Sequence, residues 1–320
     1  MLSLAMFPGQ GSQLVGMGKD VLSEFPYTEK IYEEAEDTVH LPLRKLCFEG
    51  PQEKLNQTCY AQPCVLVTSV AIWHVLQQET SFQAAYFAGH SLGEYTALVA
   101  SGKVGLATAT DLVYKRGKAM QEAFCADRAA MLALLGPVDH KKLEDLCSKI
   151  TQECRDGEGD HDDMVAIANI NASQQVVVSG SQLAAAKLKA SMAKELGPSI
   201  RSIFLSVSAP FHCSLMSPAR KALADTLYNT SIAHSPYQLI SNVTGLLEVP
   251  YTPKLLVEQI DAPVMWLKTY HTAQSLGVER LVEVGAGNVL SKMWRKEPGY
   301  SSLQVHNTSH LRDVLPVLQK

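Results

Sequence analysis

Residues 85–99 read AYFAGHSLGEYTALV, and their reading decides the fold. An apolar run stops at Gly89-His90-Ser91-Leu92-Gly93, and a helix-forming pattern begins at once. This is the G-x-S-x-G elbow, a sharp strand-to-helix turn that throws a serine outward. The first glycine keeps a side chain from crowding the strand end, and the second lets the helix start close to the sheet. Ser91 is then expected beside the free N–H groups of a helix start, where the dipole favours developing negative charge. The same five residues also occur as a plain turn, so the rest of the chain must decide.

Upstream, an apolar strand over 2–7 runs into Pro8-Gly9-Gln10-Gly11-Ser12-Gln13. The spacing fits neither a Walker loop nor a dinucleotide fingerprint. Two readings stay open: backbone N–H groups held near a reacting oxygen, or a tight turn. Helical patterns follow over 16–24 and 27–37. A third, 64–78, is opened by Pro63 and apolar over most of its circumference, hence buried. His74 within it reads as a packed histidine. Beyond the elbow, 106–124 is a helix carrying Arg116, which by itself reads as a surface arginine.

From residue 128 the order changes. Strand 129–135, helix 140–154, strands 164–171 and 175–179, helix 181–196 and strand 200–207 follow one another. That β-α-β-β-α-β order is ferredoxin-like. It reads as an insertion over 128–205, while 1–127 and 206–320 together form one discontinuous domain. The later elements, helices 215–228 and 255–260 and strands 237–243 and 280–284, complete the elbow's sheet. The expected fold class is therefore α/β: a large α/β-hydrolase-like domain with a parallel-sheet core and an inserted α+β subdomain. The acidic run Asp160-His161-Asp162-Asp163 reads as a solvated loop rather than a metal site.

The totals exclude several classes. At 320 residues, 46% hydrophobic and 19% charged, the composition is that of a globular protein with a real core. A net charge of −4 gives no electrostatic reason for nucleic acid or an anionic membrane. Seven cysteines without a C-x-x-C suggest reduced thiols rather than zinc or disulfides. No apolar run is read as reaching the ~20 residues of a bilayer span. The first seven residues are too short for a secretory signal.

A serine hydroxyl needs a base to take its proton. Among ten histidines, His212 stands out, because it follows Pro210-Phe211 directly before a helix, where the chain returns from the insertion. Loops at strand ends carry catalytic groups in α/β enzymes. A packed loop histidine remains the equal alternative. His90 is expected to leave the elbow on another face.

Taken together, these segments resemble the malonyl-CoA:acyl-carrier-protein transacylases. The resemblance rests on Phe7-Pro8-Gly9-Gln10-Gly11-Ser12-Gln13, Gly89-His90-Ser91-Leu92-Gly93-Glu94-Tyr95, Arg116-Gly117-Lys118-Ala119-Met120-Gln121, Ala209-Pro210-Phe211-His212 and Glu283-Val284-Gly285-Ala286-Gly287, in family order over nearly the whole chain. It implies Ser91 as nucleophile and His212 as base and acid. It implies backbone N–H groups of Gln10 and Leu92 as an oxyanion hole, and the Gln259 carbonyl as the partner that orients His212. Arg116 would hold a substrate carboxylate, and Phe211 would leave little room for a branched α-carbon. No metal or permanently bound cofactor is implied; malonyl-CoA is the substrate and acyl carrier protein the acceptor, in a ping-pong transfer serving fatty acid or polyketide synthesis. A monomer is expected, cytoplasmic if bacterial and in the mitochondrial matrix if eukaryotic. Asp261-Ala262-Pro263-Val264-Met265-Trp266 and Ala286 depart from the family pattern near the site's rim. A serine acyl hydrolase or proofreading thioesterase is the alternative, and a non-catalytic carrier-docking module a third reading. Lys187, Lys189, Lys194 and Arg201 are candidates for a basic docking patch.

Overall fold

In the computed structural model, which describes residues 1–157 and 159–318, the strands run in chain order as β1 (Ser3–Phe7), β2 (Tyr86–Gly89), β3 (Ala129–Leu135), β4 (Val165–Ala172), β5 (Gln175–Ser181), β6 (Arg201–Phe204), β7 (Gln238–Ile240), β8 (Leu247–Glu248), β9 (Arg280–Val284) and β10 (Ser301–Val305). Six of them make one sheet, ordered β10-β9-β1-β2-β7-β8 and parallel throughout except for β8. β1 lies near its centre, and its five residues are all buried. Ala5 and Phe7 enter the core on one face, while Leu4 and Met6 enter the core on the other. Burial on both faces is why this strand reads as an unbroken apolar run.

The helix Thr58–Glu79 corrects the sequence reading. It begins before Pro63 rather than at it, so a proline without an N–H lies inside the helix, which typically costs about 3 kcal/mol or more. Burial of nearly its whole length offsets that cost. Its 22 residues have the length and hydropathy of a bilayer span, contrary to expectation, yet 89% of the apolar window is buried in the protein. The helix serves the core.

The other sheet is antiparallel, ordered β4-β5-β3-β6. Helices His140–Asp156 and Gln182–Glu195 cover one face, packing Leu143, Leu146, Ile150 and Leu188 on Leu132, Leu134, Val176 and Val178. Asp139 and Ser181 cap their N-termini by accepting backbone N–H groups. The alternate residues Met131, Ala133 and Val177 face the other way, toward Phe211. The two sheets are stitched by main chain: Ile170 N–H donates to the Val264 carbonyl at 2.9 Å and Val264 N–H to that of Ala168 at 2.8 Å.

Several boundaries differ from the sequence reading. Strand 200–207 ends at Phe204, and 237–243 shrinks to Gln238–Ile240. β10 and the helix Thr308–Leu318, which includes His310, escaped it, since SSLQV carries little apolar alternation. Asp163 is not a solvated acid. It is buried, accepts the Asp160 N–H at 2.8 Å and pairs with Arg128.

Candidate active site

The elbow is built as tightly as its glycines imply. A Cβ on Gly89 would lie 1.9 Å from the Gly93 carbonyl oxygen, and one on Gly93 would lie 2.0 Å from that of Phe7. The elbow helix Gly93–Ala100 therefore starts directly over β1. The Pro8–Gln13 loop presses on the same turn: a Cβ on Gly9 would meet the His90 carbonyl at 2.4 Å. Ser91 and His212 are two of the three non-glycine residues with positive φ among the described residues, at 53° and 61°. Such conformations cost of order 1–3 kcal/mol and persist where the surroundings fix them.

At Ser91 the fixing is visible. Its N–H donates to Asn242 Oδ1 at 2.6 Å, and its carbonyl accepts from Gln259 Nε2 at 3.0 Å. Asn242 Nδ2 also donates to the Gly89 carbonyl at 2.6 Å, so one side chain at the end of β7 spans the elbow. Because Ser91 N–H is taken, it offers nothing to a substrate. The Gln10 and Leu92 N–H groups have no acceptor among the described residues.

His212 is brought to the nucleophile across 121 residues of sequence, with Nε2 2.7 Å from Ser91 Oγ. Its Nδ1 lies 3.0 Å from the Gln259 carbonyl. A carbonyl only accepts, so Nδ1 holds the ring proton and Nε2 presents a lone pair to the serine hydroxyl. Burial, then the positive charge of Arg116, then His90 pull the imidazolium down to a pKa of about 3. His212 is therefore neutral at physiological pH.

Arg116, on the helix Leu106–Glu122, is not a surface arginine; it is 2% exposed. Nη1 donates to Gln62 Oε1 at 2.8 Å, and Nη2 donates to Ser91 Oγ and Gln259 Oε1, both at 3.0 Å. Its Nε has no hydrogen-bond partner, and among the described residues no carboxylate is in contact with it, the Glu94 carboxylate acting from beyond the Gln259 amide. Gly117 permits this depth, since a Cβ there would lie 2.7 Å from Cys59 Cα.

These groups open onto one cavity of about 320 Å³ between the two sheets. Gln10, Ser91, Arg116, Phe211 and His212 come from the large sheet's side, and Met131, Asn169, Asn171 and Val177 from the other. Every sequence-predicted side chain thus meets there, with Leu92 and Gln259 buried beneath. His90 departs from expectation: it lines the same cavity, holding Asn171 Oδ1 at 2.8 Å. Asn242, Gln62 and Glu94 escaped the sequence reading. Glu94 entered that reading only as a member of the motif over 89–95, and nothing local marks it as fully buried. The arrangement suits covalent catalysis: a serine hydroxyl, an oriented neutral imidazole, free N–H donors, and a buried cation 3.0 Å from the hydroxyl oxygen.

Comparison with known proteins agrees in sequence and in shape. The family model described as acyl transferase domain matches residues 6–265. The malonyl CoA-acyl carrier protein transacylase of Bacillus subtilis (strain 168) is 38% identical over 293 residues, 91% of this chain and 89% of its own length. Its Escherichia coli (strain K12) counterpart is 37% identical over 297 residues, with 91% of each chain covered. The crystal structure of FabD from Acinetobacter baumannii superposes with a TM-score of 0.91 at 35% identity, covering 99% of this chain and 98% of that one. PlMCAT, a malonyl-transacylase solved in complex with the type II PKS acyl-carrier protein AntF, is equally similar, with a TM-score of 0.91 at 34% identity over 99% and 100% of the two chains.

Proposed function

This chain belongs to the acyl transferase family, and from that premise we infer that it transfers malonyl from malonyl-CoA to the phosphopantetheine thiol of acyl carrier protein, supplying fatty acid or polyketide synthesis. The observation that carries the reading is Arg116. A buried guanidinium with no protein carboxylate in contact, one N–H unsatisfied, suits a substrate that brings its own carboxylate. Acetyl-CoA brings none.

We assign the steps as follows. Ser91 Oγ attacks the thioester carbonyl while its proton passes to His212 Nε2. Negative charge gathers on the carbonyl oxygen, which the N–H groups of Gln10 and Leu92 receive; one such donor is worth about 2.7–4 kcal/mol. The C–S bond breaks, CoA leaves with the proton from His212, and malonyl stays esterified to Ser91. The carrier's thiol then gives its proton to His212 and repeats the attack, and Ser91 regains its hydrogen. With a carbonyl rather than an aspartate behind it, His212 gains orientation but less stabilisation of its imidazolium. The substrate carboxylate compensates by neutralising Arg116, one of the charges that depress the base. Phe211 on the cavity wall supports exclusion of branched acyl groups.

The deciding experiment is a pulse and chase. Protein incubated with radiolabelled malonyl-CoA should become labelled, and holo carrier protein should collect the label. Free malonate released without transfer would make the protein a hydrolase and refute the reading.

A pH test addresses the base. Because His212 is held far below the usual histidine range, its free-base form persists as pH falls from 8 to 5. Inactivation by a neutral serine-directed sulfonyl fluoride should proceed at nearly constant rate over that span; a fall centred near 6.5 would show an ordinary histidine.

We further read the four-stranded unit as a ferredoxin-like subdomain over 128–205 inserted in an α/β-hydrolase-like domain, a reading its β-α-β-β-α-β order supports. Its edge supports carrier docking as well. Lys189 lies over the Phe204 ring at 4.9 Å, and Ile203, Phe204 and Leu205 are exposed along β6 and its exit toward the cavity. Lys187, Lys194 and Arg201 stand on the same helix and strand, where an acidic carrier would meet charge and apolar surface together. Lys189→Glu with Arg201→Glu should raise KM for the carrier about tenfold, a typical loss for two rim charges. Malonylation of Ser91 should be unaffected. Unchanged carrier kinetics would move the docking face elsewhere.

A further inference from the structure

Beneath the elbow lies a carboxylate that touches neither the cavity nor the reacting atoms. Glu94 is fully buried in the first turn of the elbow helix. Its Oε1 accepts from the Tyr251 hydroxyl at 2.8 Å and the Asn242 N–H at 3.2 Å, and its Oε2 accepts from Gln259 Nε2 at 2.5 Å. Resting on the acyl-transfer reading above, we propose that Glu94 is a positioning residue for substrate choice: its carboxylate sets which way the Gln259 amide faces, and through that amide it aims Arg116 at the substrate carboxylate.

The argument is one of donors and acceptors. A side-chain amide has one face that donates and one that accepts, and it can be turned either way. On one side of Gln259 stand two acceptors, the Glu94 carboxylate and the Ser91 carbonyl; on the other stands the Arg116 guanidinium, which only donates. Only one orientation satisfies all three. The NH2 must face Glu94 and Ser91, leaving Oε1 to hold Arg116 Nη2 at 3.0 Å beside Ser91 Oγ. An ionised carboxylate cannot donate, so it enforces that orientation. A neutral group in its place that also donates removes the shortest of the three constraints and leaves only the Ser91 carbonyl and Arg116 to oppose a turned amide, which would set NH2 against guanidinium. The Gln259 backbone carbonyl, which holds His212, is untouched by this relay. The relay also reaches the Ser91 carbonyl, but Asn242 keeps its hold on the Ser91 N–H and His212 stays aimed at Oγ, so substrate choice should suffer far more than basic nucleophile activation.

Glu94→Gln conserves shape and removes the obligatory acceptor. At pH 8.5, above the value of about 7 to which burial raises this carboxyl, wild type holds the charge and the variant does not. The expected result is a rise of about tenfold or more in KM for malonyl-CoA and a matching loss of malonyl over acetyl preference. Reactivity toward the neutral sulfonyl fluoride should stay within about threefold of wild type. Gln259→Leu, which keeps the backbone carbonyl and loses the amide, should lose the same preference, and the double variant should be no worse than Gln259→Leu alone. Additive losses, an unchanged preference in Glu94→Gln, or an equal loss of sulfonyl fluoride reactivity would overturn the proposal. Should Glu94→Gln not fold, an intact preference in Gln259→Leu overturns it equally. Failure of the acyl-transfer reading would look different, since wild type itself would then acquire no malonyl label.

Discussion

Ser91→Ala is expected to take up no malonyl from malonyl-CoA and to transfer it to carrier protein at least about 10⁴-fold more slowly than wild type. The size follows from loss of the covalent intermediate: removing the nucleophile of a Ser-His pair forfeits nearly all that the pair supplies, leaving what the oxyanion donors and binding contribute. The variant should fold, because the brace on the elbow grips backbone. Asn242 and Gln259 bond the N–H and carbonyl of residue 91 and do not depend on its hydroxyl. Mass spectrometry of intact protein after exposure to malonyl-CoA checks the first part, and the carrier assay the second. Since Ser91 and His212 act as one unit at 2.7 Å, adding His212→Ala to Ser91→Ala should cost little more. A labelled Ser91→Ala protein, or one that still transfers, would place the acyl group elsewhere.

Arg116→Ala is expected to reverse the order of preference between malonyl and acetyl groups. Losing one partner of a buried, hydrogen-bonded charge pair costs about 2–5 kcal/mol, so kcat/KM for malonyl-CoA should fall by roughly 30- to 4,000-fold. Acetyl-CoA brings no carboxylate and loses nothing; in wild type it must enter beside a desolvated cation with an unsatisfied Nε. Removing that cation should leave acetyl transfer equal or faster. Stability should change little, since the substitution exchanges lost packing and two amide hydrogen bonds for relief of a buried charge with no carboxylate in contact. Competition between differently labelled malonyl-CoA and acetyl-CoA gives the ratio directly. An unchanged ratio would mean that Arg116 holds Ser91 and Gln259 but not the substrate.

Much of this protein is legible in its sequence where short-range chemistry dictates it. The elbow declares itself because only glycine fits at 89 and 93, where any Cβ would collide with backbone. The strands over 129–135 and 280–284 are found to the residue, the first as the apolar run AAMLALL and the second as the short β-prone segment RLVEV closed by the Gly285-Ala286-Gly287 turn. Pro63 misled because a local rule about helix starts yielded to burial of the whole helix around it. His212 could be singled out by position, but its tautomer, neutrality and approach to Ser91 come from groups on either side of the four-stranded unit.

By itself, then, the sequence determined the order of the elements and, through its motifs, which side chains to expect at the site, because glycine tolerance, apolar periodicity and motif spacing are local properties of a chain. Only the tertiary structure decided how those side chains are charged and aimed. Arg116 changes from a helix-surface residue into a buried cation, and Glu94, which had no role of its own in the sequence, becomes a sealed acceptor, through neighbours more than a hundred residues away. Desolvation and hydrogen-bond direction depend on what packs around a group, and packing is written between distant segments rather than along the chain.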